Sequence, residues 1–131
     1  MDSKELRKGN YVITLDNRII KVRSVGEIGI NIRPVNDGYE YDEWDEDINP
    51  IPLTPEWFLK AGFEYRKTDK ADNYYFDDFR ATYVTDGRFK GKRYLNFGNT
   101  LTFNDFWNCQ YVHELQNLYF TLKKKELIFK I

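Results

Sequence analysis

The stretch YVHELQNLYFTL, Tyr111–Leu122, decides how the rest of the chain is read. At helical spacing Val112, Leu115, Tyr119 and Leu122 share one side, and Tyr111 and Leu118 widen that stripe. Glu114, Gln116 and Asn117 fall on the opposite face. No other stretch joins so regular a period to so much apolar and aromatic area. The pattern predicts the helix on which a sheet packs.

Outward from that helix, the chain reads as short strands. Gly9-Asn10 is a turn signal before a strand at Tyr11–Leu15, and Asp16-Asn17 turns the chain into Arg18–Val25, with Ile20, Val22 and Val25 facing inward. Ile28, Ile30 and Ile32 then alternate with polar residues, a period of two that Pro34 ends. Such a meander commonly curls into a small SH3-like barrel, because curling removes exposed edges. Tyr39, Tyr41 and Trp44 fit an edge strand, and Asn49-Pro50-Ile51-Pro52 a stiff connector.

Thr54 as N-cap, Pro55 at the first helical position and Gly62 as the stop mark a short helix carrying Trp57, Phe58 and Ala61. A strand at Phe63–Arg66 follows, then a polar turn at Thr68–Asn73. Tyr74–Thr85 is extended and broken at Asp77-Asp78, Asp86-Gly87 is a hairpin turn, and Arg93–Phe97 and Thr100–Phe103 are strands. Lys123–Lys125 places cations at the negative end of the long helix, and Glu126–Ile131 closes the chain as a strand.

The fold predicted is α+β. Residues 1–50 form an SH3-like β-meander subdomain. Residues 51–131 form a mainly antiparallel sheet packed on the Tyr111–Leu122 helix, with one short helix, and the two parts fold as one compact unit. A chain of 131 residues buries enough surface to need no disulfide, and its single Cys fits a reducing compartment. No apolar run reaches the length of a membrane span, and the first residues lack a signal-peptide core. The expected location is cytoplasmic, with no membrane partner.

Formal net charge is −1, so the whole molecule lacks a polyanion-binding signature. Two local basic clusters stand out. The N-terminal meander carries Lys21 and Arg23 among seven cations against four acids, and Arg88, Lys90, Lys92 and Arg93 flank Phe89 and Tyr94. Basic residues interleaved with rings suit phosphate contacts and base stacking, though solvent-facing strand positions must be polar in any case.

Other chemistry is weakly marked. Asp37–Asp47 holds seven carboxylates, including Asp42, Asp45 and Asp47, without the glycine and terminal glutamate of a calcium loop. Cys109 and His113 are four apart, and on one helix they would share a face as half a zinc site or a thiolate–imidazole pair. Neither has the further ligands or orienting group that catalysis requires. No phosphate loop, dinucleotide fingerprint or nucleophile elbow is present. No cofactor is implied, and no motif sets an oligomeric state.

Three segments, KELRKGNYV (Lys4–Val12), IPLTPEWFLKAGFE (Ile51–Glu64) and YVHELQNLYFTL, resemble in order and spacing a family of small uncharacterised bacterial proteins, many carried on prophages or mobile elements. The resemblance implies no catalytic residue. Its recurring Gly9, Thr54, Trp57, Gly62, Leu115 and Leu118 coincide with caps and core, which leaves His113 and Asn117 as polar residues open to a further role. Where the family's last helix ends in a glycine-containing turn, this chain has Lys123–Lys125.

These observations predict a non-enzymatic binding or accessory module whose partner is nucleic acid or protein. Its contacts would be Lys21, Arg23, Arg88, Lys90, Lys92, Arg93, His113 and Asn117. A structural, oligomerising mobile-element component and a small metal-dependent or Cys/His enzyme are the alternatives.

Overall fold

Turn chemistry sets the first five strands of the computed structural model. It describes the backbone of residues 1, 3–25, 29–34, 41–44, 47–98, 101–104 and 109–131, and their side chains except at 3, 29–34, 41–44 and 101–104. After a 3-10 turn at Ser3–Glu5 come β1 (Tyr11–Thr14), β2 (Ile19–Val25), β3 (Gly29–Pro34), β4 (Tyr41–Trp44) and β5 (Ile48–Asn49). Asn17 takes φ +64° in the β1–β2 turn, a backbone that Asn tolerates better than most residues, and Thr14 N–H donates to Arg18 O at 2.9 Å.

All pairings in this sheet are antiparallel, in the order β4-β3-β2-β1-β5. Val12, Ile20, Val22 and Ile48 are buried, while Val25, expected inside, is exposed. The β2–β3 register shifts between Val22 and Ser24, and this irregularity breaks the alternation before Val25. β5 was hidden in what reads as a connector, since two residues display no period. Among the described residues β4 and β5 remain edges, and no closed barrel forms. The inward facing of Ile28, Ile30 and Ile32, and Tyr39, fall outside the described residues and side chains.

Pro55 starts α1 (Pro55–Lys60), and Gly62 at φ +91° lets the chain leave it. A consecutive antiparallel meander follows: β6 (Glu64–Lys67), β7 (Ala71–Phe76), β8 (Phe79–Val84), β9 (Arg93–Phe97) and β10 (Leu101–Asn104). The polar turn expected over residues 68–73 is tighter. Thr68 N–H donates to Ala71 O at 2.8 Å, which releases Ala71–Asn73 to pair as strand.

One face of this sheet is apolar: Tyr74, Phe79, Ala81 and Leu95 are buried. Phe58 of α1 packs on it, 5.9 Å from the Tyr74 ring and 6.4 Å from Tyr83. Burying such a ring is worth roughly 1.5–3 kcal/mol. Residues 126–131 form no strand, contrary to expectation. Lys130 N–H instead donates to Lys60 O at 2.7 Å, and Phe129 meets Trp57 edge-on, so this segment is held by the end of α1 rather than by a strand partner.

The long helix is α2 (Val112–Lys123), one residue later than its sequence pattern, with extended Tyr111 as the N-cap. The Glu114 carboxylate accepts the Tyr111 N–H at 3.1 Å, half of a capping box. Two compact units result: Met1–Leu53 with Tyr111–Leu127, and Thr54–Gln110 with Ile128–Ile131. α2 therefore belongs with the first sheet, and α1 covers the second, whereas the sequence pattern pairs α2 with the C-terminal sheet. The reason is Gln116. Assigned to the polar face by composition, it is 1% exposed and bonds to β1.

Candidate nucleic-acid interface

Of the basic clusters, the β8–β9 connection is the one with a fixed frame. Gly91 N–H donates to Val84 O, and Val84 N–H to Lys92 O, both at 2.9 Å. Lys92 N–H donates to Phe89 O at 3.0 Å and Lys90 N–H to Gly87 O at 3.2 Å. The Asp86 carboxylate accepts the Gly87 N–H at 2.8 Å. Held by these main-chain hydrogen bonds, the loop turns Arg88, Phe89, Lys90 and Lys92 to solvent, and Phe89 is 56% exposed. The Arg88 guanidinium lies 5.6 Å from the Phe89 ring.

Lys70 joins this group, and the sequence pattern did not mark it. Its carbonyl accepts the N–H of Thr85 at 2.8 Å and of Asp86 at 3.3 Å. Its side chain runs beside Gly87, where an added Cβ would lie 3.8 Å from Lys70 Cδ. The signal was available in the hairpin: pairing Ala71 with Val84 places the turn before β7 beside the loop after β8. Asp69 and Asp86 are the nearby acids in sequence, so the loop keeps a local cationic excess.

The other predicted contacts are dispersed. Arg93 pairs with Tyr83 on the α1-facing side of the sheet and is half-buried. Lys21 and Arg23 are exposed on β2 in the first unit, Arg23 at the β-bulge, and Lys21 Nζ sits 5.8 Å from the Tyr11 ring.

His113 and Asn117 serve the interior of the first unit. Asn117 Oδ1 accepts from Asn10 Nδ2 at 2.9 Å and from Arg7 Nε at 3.2 Å. Gln116 beside it accepts the Tyr11 N–H and donates to Gly9 O, each at 2.9 Å. Arg7 also pairs with Glu126 and lies 4.3 Å over the Phe120 ring. The residues of two of the family-like segments thus meet in one hydrogen-bonded network. His113 is 2% exposed and stacks on Tyr111, and burial pushes its imidazole down to about 4. It is neutral at pH 7, and among the described residues its Nδ1 has no hydrogen-bond partner.

Cys109 is a buried thiol that precedes α2, so the helical spacing that would pair it with His113 does not arise. Among the described residues no three His, Cys, Asp or Glu side chains are grouped to hold a metal. Residues 37–46, with Asp42 and Asp45, lie outside the described side chains. Among the described residues no helix is long and apolar enough to cross a membrane. Comparison with protein-family models, curated proteins and solved structures finds no match.

Proposed function

We propose that the protein is a non-enzymatic accessory module that binds nucleic acid through the β8–β9 loop. One observation carries the reading: an exposed ring, Phe89, stands among Lys70, Arg88, Lys90 and Lys92 on a loop whose main chain is fixed. Cations attract the phosphate backbone and an exposed ring offers a stacking surface, and a preformed loop loses little entropy on binding. The family resemblance supports a bacterial or prophage origin, and the single Cys supports a cytoplasmic setting. A β5 that returns beside β1 supports an SH3-like reading of the first sheet.

The test is fluorescence anisotropy of labelled oligonucleotides at 50 and 200 mM salt. Saturable binding that weakens with salt is expected, and Lys90→Gln with Lys92→Gln should lower the magnitude of the log–log salt slope by ~1.4 for a single strand. Unchanged binding by that double variant overturns the assignment to the loop.

A structural, self-associating role has its own support. Leu59, Ile128 and Ile131 of the second unit are 52%, 71% and 46% exposed, aliphatic side chains that an interface would bury. A sedimentation mass that does not rise with concentration disposes of it.

A further inference from the structure

We infer that the outer face of the second sheet is a stacking platform for single-stranded nucleic acid, continuous with the β8–β9 loop; this rests on the nucleic-acid reading above.

The strand register fixes what that face carries. Tyr74, Ala81 and Leu95 pair across β7, β8 and β9 and point to α1, so their chain neighbours point away. One outward row runs Arg66, Asn73, Thr82, Tyr94, and the next runs Glu64, Tyr75, Arg80, Asn96. Two contacts confirm the shared side: the Arg66 guanidinium lies 5.2 Å from the Tyr75 ring, and Thr82 Oγ1 donates to Asn73 Oδ1 at 2.7 Å. Lys92, paired with Val84, continues this face into the loop.

The chemistry of these rows suits an unstacked polyanion. Arg66 and Arg80 are exposed, and Glu64, on β6 beside Arg66, is held 3.3 Å from it. Tyr75 and Tyr94 are half-buried, two strands and two residues apart, which is roughly 12 Å from standard sheet spacings. An extended strand of a few nucleotides covers that distance. A duplex hides its base faces, so the rings favour the single strand, whereas the loop cations serve either form.

The experiment is anisotropy with a labelled oligothymidine and a labelled duplex of equal length, on the full chain. Wild type is expected to bind the single strand more tightly. Tyr75→Ala and Tyr94→Ala should each weaken it roughly five- to hundredfold, with duplex binding little changed and Tyr→Phe retaining affinity. Photocrosslinking with an iodouracil-substituted strand gives a readout on the unmutated chain, with adducts expected on Tyr75 and Tyr94. Adducts confined to Phe89, or alanine variants with wild-type preference, overturn the platform while the loop reading stands. Failure of both oligonucleotides to bind at low salt overturns both, and points to a protein partner.

Discussion

Gln116 shows how much one polar residue can organise. Buried at 1% exposure, it accepts the N–H of Tyr11 and donates to the carbonyl of Gly9. Gln116→Leu removes both of these buried hydrogen bonds, and a loss of about 2–3 kcal/mol is expected in urea unfolding. The Arg7–Glu126 pair nearby is 30% and 40% exposed, so Glu126→Gln should cost less than about 1 kcal/mol. His113 predicts a pH dependence. Its folded pKa, about 4, lies below the ordinary value of 6.5 because burial penalises the cation. The unfolded chain therefore takes up a proton first. The contribution is fully present above pH 6.5 and is lost as pH falls through 4, on the order of 3 kcal/mol. As the chain has one His, His113→Leu should flatten the stability profile between pH 6.5 and 5. A profile unchanged by the substitution would show that the imidazole titrates normally.

At the scale of elements, the caps and turns were the most legible features. Pro55 and Gly62 bound α1 where their chemistry dictates, while Thr54 sits at the N-cap without a capping side-chain hydrogen bond, and Asp77-Asp78 turns β7 into β8 with Asp77 at φ +54°. The end of α2 carries the plainest local conflict. Lys124 caps the helix at φ +60°, a left-handed backbone in which its Cβ is crowded and where glycine is favoured. Lys124→Gly is expected to raise stability by about 0.5–1 kcal/mol, read as a higher thermal midpoint. No gain would mean that the lysine side chain compensates the strain. Strand ends were less legible, because pairing partners rather than composition decide whether residues such as Ala71–Asn73 continue a ladder.

For the whole molecule, the chain order of the two units makes both discontinuous. The first sheet gains α2 only after the second sheet has been traversed. A chain ending at Leu53 lacks Gln116 and the buried Leu115 and Tyr119, and it should give a collapsed amide NMR spectrum. Dispersed resonances from that fragment would show that the sheet is self-sufficient. The candidate interface depends on the same long-range pairing. Arg88, Lys90 and Lys92 are visible as a run, but Lys70 and the Tyr75/Tyr94 rows emerge only from register.

The sequence by itself determined the α+β class, the turn positions, both helices and the basic loop, because these follow from local period and from backbone chemistry within a few residues. Only the tertiary structure decided that α2 serves the first sheet, that Gln116 and His113 are interior, and which face of the second sheet carries its rings. The physical reason is that composition marks a side chain as polar or apolar. Whether a polar one is buried depends on a partner a hundred residues away, as the 105-residue separation of Tyr11 and Gln116 shows.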